Sequence, residues 1–164
     1  MTKREELEQT IRNLQNALNK VQEDLKNLNN CEKFVPKDDE GYWFIDDEGD
    51  ILCDSNDDAT DKNRIDFYNC FRTEKEAKYE KEKILVRRML ENIANRLNEG
   101  KEIDWYNNKK KFFISYDRDE GVLCCTNTVN LQIAGVVYCI GFKFLEVAKE
   151  EIGEERLIKY VKGE

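Results

Sequence analysis

The stretch GYWFIDDEGDILC, residues 41–53, places aromatic and β-branched residues on both sides of an acidic turn that contains Gly49. Apolar runs around a short turn with glycine are typical of a β-hairpin. The stretch KKFFISYDRDEGVLCC, residues 110–125, has the same order of features, with Gly121 in its turn. The sequence therefore predicts two hairpins, and the rest of the chain is interpreted around them.

The segments that follow the two hairpins are also alike. RIDFYNCF (64–71) and LQIAGVVYCIG (131–141) are rich in β-branched and aromatic residues, which predicts one further strand after each hairpin. A helical pattern follows each of these segments, so the chain could hold two ββ-β-α repeats, residues 41–99 and 110–161. Convergence of unrelated hairpins is the alternative. Two such units could form one sheet that is covered on one face by two helices.

Two helices are predicted in this part of the chain. Thr73 and Glu76 have the spacing of a capping box, which opens a helix that runs to about Asn98. Residues 144–161 have a helical pattern that breaks near Gly153. The expected fold class is α+β: an N-terminal coiled-coil helix, then an antiparallel sheet of about six strands with two main helices.

The N-terminal stretch LEQTIRNLQNALNKVQEDLKNL, residues 7–28, repeats an apolar residue alternately every four and three positions. This heptad predicts a coiled-coil oligomerisation helix over residues 1–30, with a homo-oligomer, in the first instance a dimer, as its product. The alternative is an amphipathic helix that packs on its own domain. Residues 31–40, with Pro36, are the predicted linker, and residues 41–164 form the α+β domain. The predicted oligomerisation positions are Leu7, Ile11, Leu14, Leu18, Val21, Leu25 and Leu28.

Composition and charge limit the classes of function. The chain has 164 residues and a net charge of −8, with 35 acidic and 27 basic side chains. Binding to a nucleic-acid backbone needs clustered Lys and Arg, so direct nucleic-acid binding is not expected. No apolar run approaches the roughly 20 residues that cross a bilayer, and no signal-peptide core is present, so we expect no membrane association and a cytoplasmic location.

Catalytic chemistry is not predicted. The chain has no histidine, which excludes a Ser-His-Asp triad and removes the usual base for a cysteine nucleophile. The closest of the six cysteines, Cys124 and Cys125, are adjacent, which does not match zinc-ligand spacing. The segment DSNDDATDKNRI (54–65) matches a calcium loop only in part, since Ala59 stands where glycine is required. We therefore predict a protein that is not an enzyme, with no catalytic residue, no metal site and no cofactor.

The sharpest surface feature lies between Asp38 and Asp61, where the chain has eleven acidic residues and no Lys or Arg. We name this stretch the acidic span. Carboxylates spaced by a hairpin could imitate a phosphate backbone and fill a basic groove on another protein. The alternative is a set of solvated turns that keeps a small protein in solution. The predicted partner-binding residues are Asp38, Asp39, Glu40, Asp46, Asp47, Glu48, Asp50, Asp54, Asp57, Asp58 and Asp61.

Two other functions fit the sequence. The protein could be a sponge that sequesters a small nucleotide signalling molecule between protomers. Its pocket would be lined by Tyr42, Trp43, Trp105 or Phe113, with phosphates on Lys109–Lys111. It could also be a structural or scaffold protein of a virion, for which the excess of charge needs no special explanation.

Four motifs behind the heptad helix suggest a type of protein: YWFIDDEGDI, NCFRTEKEA, IDWYN and EEIGEERLIKY. Together they resemble small accessory proteins of phages and prophages of Gram-positive bacteria. The resemblance spans most of residues 1–160 and carries no catalytic signature. Such proteins are mostly of unassigned function, and several small acidic phage proteins inhibit host defence nucleases. The resemblance therefore implies a phage-encoded, oligomeric inhibitor of a host defence protein, such as a CRISPR nuclease, that acts in the host cytoplasm. The implied partner is a host protein with a basic groove.

Overall fold

The computed structural model describes Gln15 and residues 34–163, which divide into two compact units at the bond between Ala77 and Lys78. The predicted coiled-coil helix and its heptad positions, Leu7 to Leu28, lie outside the described residues. None of the helices within residues 34–163 is long and apolar enough to cross a membrane.

The first unit contains the first predicted hairpin. Strands β1 (Gly41–Ile45) and β2 (Ile51–Ser55) pair antiparallel, with Ile45 opposite Ile51 next to the turn. Gly49 has a φ of 85°, a left-handed conformation that glycine adopts without the steric penalty of a Cβ. The hairpin prediction is confirmed, and it fixes the end at which the acidic turn projects.

A small core holds the hairpin to the rest of the first unit. Tyr42 and Phe44 alternate with exposed or half-buried residues along β1, and both are buried with Cys70. Phe71 pairs with Trp43 through two backbone hydrogen bonds of 2.8 and 2.9 Å, which form an isolated antiparallel bridge. The segment after the hairpin therefore forms a backbone bridge with β1 at one residue and does not continue as a strand.

The prediction of a strand over residues 64–71 is wrong. Helix α1 (Ala59–Asp66) occupies this position. Asp58 caps the helix by accepting the amides of Thr60 and Asp61 at 2.6 and 3.2 Å. The Asp61 carboxylate in turn accepts the amide of Asp58 at 2.8 Å, which completes a capping box. These local bonds outweigh the β-branched and aromatic content of the segment.

The second unit is built around a long helix and the second hairpin. Helix α2 (Glu74–Leu97) begins in the first unit and lies mainly in the second. Strands β3 (Lys111–Asp117) and β4 (Val122–Thr128) pair antiparallel, and helices α3 (Phe144–Ile152) and α4 (Glu154–Lys162) close the chain. The second hairpin, the helix after Thr73 and the helix broken at Gly153 are confirmed. The buried core comprises Val86, Leu90, Ile93, Ala94, Leu123, Cys139, Phe144, Ala148, Ile152 and Leu157.

The described residues form an α+β fold with four helices, but the predicted single sheet of about six strands is wrong. Each hairpin is a separate two-stranded sheet. The predicted strand over residues 131–141 is also wrong: this segment is irregular, with Gly135 at a φ of 80°, and its backbone pairs with β3 through the isolated bridge between Phe112 and Cys139. The two ββ-β-α repeats stay a prediction, with an isolated bridge in place of each third strand.

Candidate acidic binding site

The acidic residues over positions 38–50 lie in two groups at opposite ends of the hairpin. Asp38–Glu40 precede β1 and lie beside the end of β2, where the amide of Asp39 donates to the carbonyl of Asn56 at 3.0 Å. Residues 46–50 form the turn that joins the two strands. Because a strand rises about 3.3 Å per residue, the five residues of β1 separate the groups by roughly 15 Å. The acidic residues over positions 38–50 are therefore two clusters and not one continuous face.

The turn over residues 46–50 is held by its own backbone. The amide of Asp46 donates to the carbonyl of Asp50 at 2.9 Å, and the amide of Asp50 donates to Oδ1 of Asp46 at 2.6 Å. Asp47, Glu48 and Asp50 are exposed, and Asp46 is half-buried. The backbone of the turn is thus held without using the side chains of Asp47 or Glu48 for hydrogen bonding.

A cavity of about 500 Å³ lies beside this turn. Phe67 stands at the cavity with 83% of its surface exposed, and Asn69 pins the end of β1 by bonding both the amide and the carbonyl of Ile45, at 3.0 and 2.6 Å. The lining of the cavity therefore combines carboxylates with an exposed aromatic ring. Its lining residues are Phe44, Ile45, Asp46, Asp47, Glu48, Thr60, Asn63, Arg64, Phe67 and Asn69.

Arg64 is the basic residue among those that line this cavity, and the protein already uses its charge. Its guanidinium lies 3.7 Å from the centre of the Phe44 ring. Nη1 donates to Oδ2 of Asp54 at 2.7 Å and to the hydroxyl oxygen of Tyr42 at 2.8 Å. Its charge is thus directed at Asp54, Tyr42 and Asp61, which leaves Asp47 and Glu48 without a basic neighbour in an ion pair among the described residues.

Tyr42 and Asp61 form a buried hydrogen bond beneath the cavity, in which the hydroxyl donates to Oδ1 of the carboxylate. Burial raises the pKa of Tyr42 to about 12, and the hydrogen bond to Asp61 adds to this effect. The Tyr42 hydroxyl is also the largest cause of the lowered pKa of Asp61; burial opposes it, and the amides of Asp58 and Asp57 support it. Burial lowers the pKa of Arg64, but its bonds to Tyr42 and Asp54 outweigh burial and raise it.

Asp61 has to be removed from the predicted acidic surface. It is 1% exposed, and its oxygens accept the Tyr42 hydroxyl, a guanidinium N–H of Arg64 and the amides of Asp57 and Asp58. Oxygens of Asp57, Asp58 and Asp61 lie within 4.8 Å of one another, which is close enough for a cation. The capping bonds already account for this cluster, so we assign no metal to it.

Two residues of the predicted nucleotide pocket have structural roles. Tyr42 is buried in the core of the first unit. Lys111, in the second unit, is buried, and its ammonium donates to the carbonyl of Val129 at 2.8 Å and to Asn107. Trp105 and Phe113 both pack edge-on against Tyr138, at centroid distances of 5.0 and 5.4 Å. Neither Tyr42 nor Lys111 can therefore serve a ligand between protomers.

Arg64, Phe67 and Asn69 belong to the site but are not predicted from the sequence as site residues. All three follow the acidic span and fall within the segment interpreted as a strand. A strand over this segment gives no reason to place these three residues at the acidic turn. The capping-box spacing of Asp58 and Asp61 instead indicates a helix, and this helix brings the segment to the hairpin.

Comparisons of the chain with protein-family models, curated proteins and solved structures found no match. The resemblance to phage accessory proteins therefore stays a prediction, and the function has to be argued from the site.

Proposed function

We propose that the first unit is a protein-interaction module whose acidic turn and adjoining cavity bind basic side chains of a partner protein. The observation that supports this proposal most directly is the position of Asp46, Asp47 and Glu48 around a cavity that also exposes Phe67. Lys and Arg side chains combine a long aliphatic stem with a cationic end. The stem can pack on an aromatic ring while the cation reaches the carboxylates.

The partner that fits this chemistry is a protein with a basic groove, of the kind that binds a nucleic-acid backbone. Clustered carboxylates steer a positive surface towards them and speed association. A host defence nuclease remains our proposed partner in this class, and the phage origin remains part of that proposal. Self-association through the heptad of residues 7–28 would multiply the acidic turns, and we propose no catalytic step for the protein.

The hairpin offers a matched control, since each of its ends carries a triplet of acidic residues. We expect the triple variant Asp46→Asn, Asp47→Asn, Glu48→Gln to bind an Arg-Arg-Leu peptide about tenfold more weakly than the unchanged protein, because each exposed charge pair contributes up to about 1 kcal/mol. Asn and Gln keep the oxygens that hold the turn. Isothermal titration calorimetry at about 0.15 M salt, where the Debye length is about 8 Å, gives the dissociation constants.

The control is the triple variant Asp38→Asn, Asp39→Asn, Glu40→Gln, which changes the net charge by the same amount at the other end of the hairpin. It should leave the affinity within about twofold, since these residues lie roughly 15 Å from the turn. Equal weakening in the two variants would contradict a site at the turn and leave only the general acidity of the protein. A peptide with glutamine in place of arginine should not bind measurably.

A further inference from the structure

Two adjoining cavities lie between α2 and α4 in the second unit. One has a volume of about 470 Å³ and the other of about 250 Å³, and Lys83 and Tyr160 line both of them. The larger falls within the range of roughly 300–1,000 Å³ that is usual for sites of small ligands. Buried Val86 and Leu90 lie beneath them. The arrangement is one cleft with an apolar floor, which we name the α2–α4 cleft.

The rim of the α2–α4 cleft is basic in a protein with a net charge of −8. Five cationic residues line the two cavities against two acidic ones, and Arg87 also pairs with Glu91 outside the lining at 2.9 Å, which leaves an excess of two positive charges. The cationic residues are Lys78, Lys83, Arg87, Arg156 and Lys159, and the acidic ones are Glu80 and Glu82.

The ion pairs at this rim are the kind that a ligand can replace. Lys83 pairs with Glu80 at 2.8 Å and Arg156 with Glu82 at 2.6 Å, and the four side chains are between 37% and 47% exposed. Exposed pairs contribute little to stability, so a stronger anion can compete for the cations at small cost. Lys159 is exposed and forms no ion pair with any of residues 34–163.

Two tyrosine rings give the α2–α4 cleft a second recognition element. The Lys83 ammonium lies 5.2 Å from the centre of the Tyr79 ring, so charge and aromatic surface are next to each other. The Tyr160 hydroxyl makes no hydrogen bond to any other residue in the described part of the chain, and the residue is only half-buried. An aromatic ligand could stack on these rings while its anionic group reaches the lysines.

We propose that the α2–α4 cleft binds a small organic anion that carries a flat ring, of the chemical class of the nucleoside monophosphates. The apolar floor and the tyrosines would hold the ring, and Lys83 and Lys159 would hold the phosphate. This inference does not depend on the acidic turn or on its partner. It places an anionic ligand in the second unit, whereas the proposed function places a cationic one in the first.

The test measures binding of adenosine monophosphate, adenosine and inorganic phosphate to the full-length protein by calorimetry. Adenosine monophosphate should bind at least about tenfold more tightly than either fragment, because only it satisfies both the rings and the cations. No binding of adenosine monophosphate at millimolar concentration overturns the proposal. Phosphate that binds as tightly as the nucleotide overturns the role of the rings, and adenosine that does so overturns the role of the cations.

Matched variants locate the site. Lys83→Gln with Lys159→Gln removes two charges from the cleft, and should weaken binding of adenosine monophosphate by about tenfold or more. Lys81→Gln with Arg88→Gln removes two charges from α2 at positions that do not line the cleft, and should leave the affinity for adenosine monophosphate within about twofold. Equal loss in both variants places the ligand elsewhere. Light scattering completes the test. If the cleft variant has a lower molecular mass in solution than the unchanged protein, and no nucleotide binds to the unchanged protein, the cleft holds a second copy of the chain and the proposal is wrong.

Discussion

Asp61→Ala should lower the free energy of unfolding of the first unit by about 3–5 kcal/mol, because it removes one partner of a buried charged network. The substitution leaves the Tyr42 hydroxyl without its acceptor and deprives Arg64 of one of its two carboxylates. It also frees the amides of Asp57 and Asp58, so the half of the capping box that Asp61 provides is lost, while Asp58 still caps α1. A fall this large would place the variant near the limit of stability of an ordinary domain.

The measurement needs a signal that reports the first unit alone. The chain has two tryptophans, Trp43 on β1 and Trp105 in the second unit, so Trp105→Phe leaves Trp43 as the only indole. Urea unfolding followed by its fluorescence then compares Asp61→Ala with Asp66→Ala, an exposed aspartate in the same helix. Asp66→Ala should change stability by less than about 0.5 kcal/mol. A loss below about 1 kcal/mol for Asp61→Ala would show that the network contributes little.

Raising the pH should destabilise the first unit through Tyr42. Its pKa is raised from 10.0 to about 12, so between these values the unfolded chain loses the phenolic proton while the folded chain keeps it. The stability from this group is therefore complete below about pH 10 and is lost as the pH rises through about 12. The shift corresponds to roughly 2–3 kcal/mol, because one pKa unit is worth about 1.4 kcal/mol.

Comparison of variants separates this loss from the titration of lysines. Urea unfolding of the Trp105→Phe protein between about pH 9 and pH 12 gives the free energy of unfolding as a function of pH. Tyr42→Phe should remove the part of the alkaline loss of stability that is due to Tyr42. Tyr68→Phe, at an exposed tyrosine of the same unit, is the control and should retain it. An identical alkaline dependence in the protein with Tyr42 and in Tyr42→Phe would contradict the raised pKa.

The secondary structure that could be predicted is the part that local pattern determines. The two hairpins carry their signal in a glycine-containing turn between apolar runs, and the helix after Thr73 carries its own in the capping box. The segments 64–71 and 131–141 have the composition of strands, and each does form a backbone bridge, through Phe71 and Cys139. In each segment one residue pairs with a neighbouring strand, and the other residues adopt conformations that local turns and helix caps determine.

Of the candidate site, only the acidic residues could be predicted from the sequence. The sequence identifies the acidic residues, but it gives no indication that β1 separates them into two groups or that Asp61 is buried. The burial of Asp61 depends on Tyr42, 19 residues earlier in the chain, and on a helix whose polar sequence resembles a loop. Arg64 reaches Asp54 and Tyr42 only after that helix packs on the hairpin. The sequence thus shows the pattern of charges, whereas the fold determines which of these charges are exposed.

In the proposed function, the acidic turn of the first unit, with Phe67, receives a basic side chain of the partner. The most direct measurement is a titration of the isotope-labelled full-length protein with the Arg-Arg-Leu peptide, followed by amide NMR. We predict that saturable shift changes concentrate at residues 46–50, Phe67 and Asn69, while the amides of Asp38–Glu40 barely move. Shift changes that are as large at Asp38–Glu40 as at the turn, or no saturable change at all, would contradict the account.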